Sequence, residues 1–420
     1  MSPYAQYTEA HAWLFSLVRD PEGKRFSIPK SHAQRQADME AGMVRSRRFL
    51  AFASHPENQF KSVHVTGTSG KGSVSTMIAA LLRGIGFSTA LHTSPYLQLP
   101  TEKLVFNGEP IGFKPFADLI WQFKEIHDAW GERDGLEARL RYTEAWNALT
   151  FLWLANTKPD WAVVEAGMGG RLDPTNLLPS RMAVITNVAY DHVKSLGPKL
   201  TDIAHHKSGI IKTGCPAVTA VTGKKLLSIV KAEAEAKKAP LYILGRDFDY
   251  TVHSANSITV EIGDRRYDQV EVGPSGHYQL ANAALAICAV DTLIQHESIS
   301  QPLQTGILAT TSVPGRMEVV EKAPIVLLDG AHNPHKMRAL MKSLELSYPD
   351  KRVVAIVGGI VNKEISAILK EMVPHIDVLI GTAPKVPGKP AVPPEDVVAA
   401  FNSIPKHQAI ETYAKPDIKT

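Results

Sequence analysis

The segment VHVTGTSGKGSVSTMI, residues 63–78, sets three glycines and one lysine between a β-branched run and a helix-forming run. A strand, a glycine turn and a helix start together aim several backbone N–H groups at one point, which suits a phosphate. Gly67, Thr68, Ser69, Gly70, Lys71, Gly72 and Ser73 make up the candidate loop. The glycines supply shape and close approach, Lys71 reaches terminal phosphates, and Ser73 offers a hydroxyl to Mg²⁺. The spacing is G-x-x-G-K-G-S and not the common G-x-x-x-x-G-K-[ST], because Gly72 separates lysine from serine. The alternative is a glycine turn that binds nothing.

Other residues with chemistry stand at the ends of hydrophobic runs. Glu165 closes DWAVVEAG and precedes MGGR, so it is either a carboxylate facing the Mg²⁺ at Ser73 or a turn residue. The two glycines beside Arg171 leave backbone free to approach an anion. Asp191 and His192 follow the run AVITNV, where the histidine is a metal ligand, a proton carrier or neither. Lys207 is expected on an amphipathic helix that turns Ile203, Ile210 and Ile211 inward. An inward lysine is costly unless paired, modified or used, and the alternative is a snorkelling surface lysine. LLDGAHNPH repeats the strand-end pattern with Asp329, His332 and Asn333, and Arg316 in PGR suits either a phosphate or an interdomain ion pair.

The elements that must position these residues alternate between strand and helix, the pattern of a parallel sheet with crossover helices. Strands are expected at 62–67, 87–93, 160–167, 182–187 and 215–221, with helices at 74–86, 143–157, 200–212 and 277–294. A small antiparallel excursion is expected at 246–273, where polar and apolar residues alternate. After TTSVPGR the alternation restarts with APIVLLDG (323–330), a helix at 333–347, RVVAIVGG (352–359), a helix from 363 and DVLIGTA (377–383). The predicted fold class is α/β, with a nucleotide-type domain over 1–305 and a smaller α/β domain over 306–420.

With 420 residues, 44% of them apolar and 21% charged, the chain exceeds what one core usually serves, and two domains follow. The net charge of +4 is spread without a long basic run, which argues against nucleic acid. No apolar stretch suits a membrane span, and no basic region precedes the apolar residues at the start, so a cytoplasmic enzyme without a membrane partner is expected. Cys215 and Cys288 are expected to be buried free thiols.

In their order along the chain, HVTGTSGKGS, TSPYLQLPTEKLVFNGEPI, EAGMGGRLDPTN, NVAYDH, HHKSGIIK, GHYQLANAA, PGRMEVV and LLDGAHNP resemble the motifs of the folylpolyglutamate synthase and dihydrofolate synthase family of Mur-type ligases. The resemblance implies a Mur-ligase ATP-binding domain followed by a Rossmann-like ligase domain. It implies that Ser73, Ser94 and Glu165 serve the Mg²⁺ of ATP, and that His192 with a carbamylated Lys207 completes a second metal site, two ions in all. Asn282, Arg316 and Asp329 match residues that hold ATP. Tyr96, Leu97 and Glu102 fall in the substrate loop, and His332 lies near the incoming amino acid. The implied reaction is ATP-dependent addition of L-glutamate to a folate or dihydropteroate carboxylate through an acyl phosphate, by a monomer.

The chain departs from the family pattern where Tyr96 replaces a histidine, Pro100 an aromatic, Lys103 an arginine, and His277-Tyr278 an Arg-His pair. The family also continues past the segment matching 411–420, so the second domain is expected to be shortened. Two other readings stay open: a Mur-type ligase for a different carboxylate, and a nucleotide-binding protein without ligase turnover.

Overall fold

The computed structural model describes residues 1–18, 20, 30–294, 299–361, 365–386, 389–405 and 410–416. They form two compact units. One is carried by 31–274 and 279–314 with the N-terminal helix, the other by 275–278 and the chain from 315 onward.

In the first unit the buried β-branched runs become the centre of an eight-stranded sheet. Its strands are β1 (Ser62–Thr66), β2 (Thr89–His92), β3 (Leu104–Phe106), β4 (Glu109–Pro110), β5 (Trp161–Glu165), β6 (Met182–Ile185), β7 (Ala217–Thr219) and β8 (Leu241–Ile243). Their order is β4-β3-β2-β5-β1-β6-β7-β8. From β2 to β8 the neighbours are parallel, while β3 pairs antiparallel with β2 and β4.

Both faces of this sheet are covered, as a parallel sheet requires. The helices are α1 (Pro3–Ser16), α2 (His32–Phe52), α3 (Lys71–Ile85), α4 (Phe113–Asp134), α5 (Tyr142–Thr157), α6 (Val193–Leu196), α7 (Leu200–Ser208), α8 (Lys224–Ala236), α9 (Tyr278–Ile294) and α10 (Ser300–Gln304). Val63, Val65 and Val163 pack with Met77, Leu81 and Leu82 of α3 and Leu285 of α9. Ala162 and Val164 point the other way, into Phe116 and Phe123 of α4 and Leu149 of α5. Each such fully buried Val, Leu, Met or Phe side chain contributes about 1.5–3 kcal/mol. The excursion at 246–273 is a three-stranded antiparallel sheet of β9 (Phe248–Ser254), β10 (Ser257–Ile262) and β11 (Arg265–Glu271). Its Ile258, Val260 and Tyr267 join the first of these cores.

The second unit has a parallel sheet and a separate hairpin. β12 (Glu318–Lys322) and β13 (Ile325–Leu328) pair antiparallel, whereas β14 (Val354–Gly358), β15 (Val378–Thr382) and β16 (Glu411–Ala414) are parallel. α11 (Pro334–Ser347), α12 (Ile365–Met372) and α13 (Pro394–Asn402) supply its core with Leu340, Leu369, Val397 and Phe401.

Several expectations shift. The helix expected from 74 begins at Lys71, because Gly70 turns left-handed (φ 79°) and starts it three residues earlier. APIVLLDG does not open the second parallel sheet: its strand folds back on β12, and both hairpin strands are largely exposed. The start of the helix expected from 363 lies outside the described residues. Cys288 is a buried free thiol as expected, but Cys215 is only half-buried, at a loop before β7. Ile210 and Ile211 are buried but lie beyond the end of α7 at Ser208. Helices α1, α2 and α4 fall in segments whose sequence had suggested no element.

Candidate active site

The phosphate loop runs from the carboxyl end of β1 into α3, and its shape is held by the neighbouring strand's exit. Thr186, just past β6, donates its hydroxyl to the Ser69 carbonyl at 2.6 Å. Asn187 accepts the Ser69 N–H at 2.9 Å through Oδ1, and its backbone carbonyl accepts the Thr68 N–H at 3.1 Å. The Thr68 hydroxyl donates to the Ala189 carbonyl at 3.0 Å. These bonds explain two glycines. A Cβ on Gly67 would come within 1.7 Å of Thr186 Oγ1, and one on Gly70 within 2.5 Å of Asn282 Oδ1. Asn282, on α9, therefore stands against the loop, with its amide donating to Gln279 at 2.8 Å.

Glu165 at the end of β5 faces this loop. Its side chain is buried, with Oε1 3.8 Å from Lys71 Nζ, and Oε2 accepts the Ser94 N–H at 2.9 Å. A Cβ on Gly72 would lie 3.4 Å from the same Oε2. Lys71, Gly72, Ser94 and Glu165 thus meet at the adjacent carboxyl ends of β1, β2 and β5, with buried Ser73 in the first turn of α3. A buried carboxylate beside a hydroxyl at a phosphate loop fits Mg²⁺, which takes one or two carboxylates together with phosphate oxygens and water. Among the described residues no three His, Cys, Asp or Glu side chains converge on a metal position.

The loop after Glu165 rests on a buried network. Asp173 Oδ2 accepts the Met168 N–H at 2.8 Å, and Oδ1 accepts the Thr175 hydroxyl at 2.6 Å. Because Thr175 gives that proton away, His64 Nε2 donates to Thr175 Oγ1 at 2.9 Å. Burial pushes the His64 pKa down to about 3, with Lys212 adding to the effect, so this imidazole is neutral. Burial raises the Asp173 pKa against the pull of its hydrogen bonds. Gly169 and Gly170 have a packing role: a Cβ on Gly170 would meet the His206 carbonyl at 2.7 Å and Lys207 Cα at 3.3 Å. Arg171, beside these glycines, pairs with Glu233 and donates to the His205 carbonyl.

Lys207 is buried at the end of α7, at 3% exposure. His192 adopts a left-handed backbone (φ 51°) before α6, and its half-exposed ring lies 3.8 Å from Asp191.

In the segment that follows β2, Tyr96 is half-buried and Leu97 is exposed. The Glu102 carboxylate accepts three backbone N–H groups, from Leu97 at 2.7 Å, Gln98 at 3.0 Å and Leu99 at 2.7 Å. It fixes the loop from within. Beside it, Lys103 Nζ sits 3.9 Å from the centre of the Trp146 ring. Desolvation lowers the Lys103 pKa to about 7, opposed by the Glu165 and Asp173 carboxylates.

In the second unit Asp329 Oδ2 accepts the Met317 N–H at 2.9 Å and Oδ1 the Ala331 N–H at 2.7 Å. Burial raises its pKa against these bonds. The Tyr278 hydroxyl lies 3.4 Å from the same carboxylate. Arg316 donates to the Gly315 carbonyl at 2.8 Å and crowds Gly330, where a Cβ would be 2.5 Å from its guanidinium. His332 Nδ1 lies 2.8 Å from the Gly330 carbonyl and Nε2 3.2 Å from Lys336 Nζ. Asp329 and His332 therefore stand on the turn that leads into α11, with the Arg316 guanidinium packed against it.

The sequence reading did not single out Thr186, Asn187, Asp173 or Lys103 as parts of the site. Of these only Lys103 carried a signal, the exchange of arginine for lysine.

A site of this kind, a glycine-lysine loop opposed by a strand-end glutamate on a parallel sheet, belongs to nucleotide-dependent ligases of the Mur type. The Mur ligase middle domain matches residues 65–290, and the Mur ligase glutamate ligase domain matches 315–418. A dihydrofolate synthase/folylpolyglutamate synthase of Bacillus subtilis is 31% identical over 378 residues, covering 88% of this chain and 83% of the relative. The structure of Mycobacterium tuberculosis folylpolyglutamate synthase complexed with ADP superposes with a TM-score of 0.87 at 24% identity, over 100% of this chain and 90% of that one. An FPGS complex with AMPPCP and folate gives a TM-score of 0.80 at 27% identity, over 97% and 96%. The chain belongs to the Mur ligases, and among them to the folylpolyglutamate and dihydrofolate synthase family.

Proposed function

We propose that the protein uses ATP to join L-glutamate to the carboxylate of a folate or dihydropteroate. The observation that carries this reading is the approach of Lys71 to Glu165 across the phosphate loop, at 3.8 Å. A cation and a buried carboxylate on either side of one loop suit a nucleotide whose terminal phosphate must be both held and transferred. The Bacillus subtilis relative is named for the two products, dihydrofolate and folylpolyglutamate.

In the first step an acceptor carboxylate oxygen bonds to the γ-phosphorus, and the bond from that phosphorus to the β–γ bridging oxygen breaks. ADP leaves and an acyl phosphate remains. The glutamate amine then attacks the acyl carbon, the carbon–oxygen bond to phosphate breaks, and the amine releases a proton. The loop N–H groups and Lys71 bind the phosphates and balance charge as it moves to the leaving ADP. Ser73, Ser94 and Glu165 would hold Mg²⁺, which when bound draws charge from the phosphate oxygens.

The second ion is assigned to His192 and Lys207, the lysine as its carbamate, which turns a buried cation into an anion. Asn282, Arg316 and Asp329 are assigned to ATP, His332 to the incoming glutamate, and Tyr96, Leu97 and Glu102 to the acceptor loop, Glu102 as its internal brace. The same reading expects a monomer acting in the cytoplasm. Among the described residues no helix is long and apolar enough to cross a membrane.

The test is purified protein with ATP, Mg²⁺, L-glutamate and either dihydropteroate or tetrahydrofolate, following phosphate release and product mass. Release that needs both glutamate and acceptor supports the proposal. ATP binding with no release for either acceptor would sink it.

A further inference from the structure

The parallel sheet has a second end. The phosphate loop, Ser94 and Glu165 occupy the carboxyl ends of β1, β2 and β5, but a cavity of about 520 Å³ opens at the amino ends of β1, β6 and β7. Its wall comes from the segments that enter those strands, and it contains Lys61, Arg181, Lys212 and Cys215. Backbone pairing holds the segments together: the Arg181 N–H donates to the Ser62 carbonyl at 2.8 Å, and the Ala162 N–H to the Lys61 carbonyl at 2.8 Å. A strand of five residues spans roughly 16 Å, so the two ends of β1 serve separate sites.

Among the described residues the lining holds three cationic side chains and no carboxylate. Lys212 is anchored, with Nζ donating to the Asn176 carbonyl at 2.7 Å and to its Oδ1 at 2.8 Å, which leaves one of three ammonium hydrogens for another acceptor. Lys61 rests 5.5 Å from the centre of the Trp161 ring. The nearby Asp160 carboxylate is engaged by the Ser88 N–H at 2.7 Å and hydroxyl at 2.6 Å. Ser180, which also lines the cavity, is 1% exposed, and its hydroxyl oxygen has no hydrogen-bond partner. Desolvation lowers the Lys212 pKa to about 8, with repulsion from Lys237 and Arg47 adding to the shift and Cys215 opposing it. Cations gathered without carboxylates in a concave site are what an oxyanion offsets. The volume falls within the roughly 300–1,000 Å³ of small-molecule sites.

We propose that this cavity is a second anion site, for a small molecule bearing a phosphoryl or carboxylate group, gripped by Lys61, Arg181 and Lys212 and independent of the phosphate loop. Neither the ligase reading nor any residue assigned to it uses this end of the sheet.

Cys215 supplies the probe. It is half-buried on the cavity wall, whereas Cys288 is fully buried and its thiol pKa is raised by burial. The rate of Cys215 alkylation by neutral N-ethylmaleimide, followed by intact mass on the full chain, reads occupancy directly. The additions are inorganic phosphate, pyrophosphate and citrate, each against sodium chloride of equal ionic strength. At least one is expected to slow alkylation fivefold or more at millimolar concentration, equally in the wild type and in Lys71→Ala. The two phosphoryl anions against citrate decide which headgroup is preferred. Arg181→Ala is expected to weaken protection tenfold or more while keeping the wild-type circular dichroism spectrum and ATP affinity, and Lys61→Ala serves in its place if that variant does not fold. Protection that sodium chloride matches, that disappears in Lys71→Ala, that survives both cavity variants, or that no anion gives overturns the proposal.

Discussion

Lys71 and Glu165 approach to 3.8 Å across the phosphate loop, and the glutamate's other oxygen takes the Ser94 N–H at 2.9 Å. One carboxylate thus ties the ends of three strands to the loop's lysine. Removing the lysine deletes the mobile cation while leaving Glu165 its backbone donor. Lys71→Ala is expected to lower glutamate-dependent phosphate release by about 10²–10³-fold. The melting temperature should move by only a few degrees. A variant that keeps more than a tenth of the rate would remove Lys71 from the chemistry.

Thr186 is expected to act on nucleotide affinity through the loop. Its hydroxyl donates to the Ser69 carbonyl at 2.6 Å, where Asn187 Nδ2 is a longer second donor at 3.3 Å. Thr186→Val keeps the shape and deletes the donor, a loss of about 0.5–1.5 kcal/mol. ATP binding by calorimetry should weaken by roughly 2–13-fold. No change would mean that Asn187 alone sets the loop.

Lys103 links stability to pH. Its pKa falls from 10.5 unfolded to about 7 folded, chiefly by desolvation. Between those values the unfolded chain binds more protons than the folded one, so this group's contribution makes stability rise with pH through the window. Below about pH 7 both states hold the proton and the penalty is fully present. Lys103→Met removes the penalty, so its stability relative to wild type should be higher at pH 6 than at pH 10. Urea unfolding of both proteins across that range checks it, and a flat difference would sink the idea.

Lys207 tests the carbamate. If a carbamate on this buried side chain supplies the anion of the second metal site, Lys207→Ala should lose nearly all activity. Millimolar acetate or propionate should restore part of it by entering the space left behind. Loss without rescue by any short carboxylate would count against the modification.

How much of this was open to reading depends on the distance over which each residue acts. The glycine spacing around Lys71 and the apolar runs of β1, β5 and β6 are local signals, and they placed both the loop and Glu165. Thr186 and Asn187 act on Ser69 from more than a hundred residues away, and only the parallel register of β1 with β6 brings them there. Lys103 was visible as an exchanged residue, but its low pKa comes from desolvation, which spacing does not encode. The twin glycines at 169–170 looked like backbone freed for a ligand, while Gly170 packs against the backbone of α7 and Gly169 against the Leu196 side chain. The same local pattern serves either end, and only packing decides.

Glu102 holds the N–H groups of Leu97, Gln98 and Leu99 on one carboxylate. The backbone there is set by a residue that contributes nothing of its own to the side chains displayed at 96 and 97. The loop is in that sense a fixed socket with exchangeable inserts: replacing Tyr96 or Leu97 should retune the acceptor without refolding the segment. Glu102→Gln, which offers one carbonyl oxygen in place of two, should instead speed amide hydrogen exchange at 97–99 and blur the preference for any acceptor.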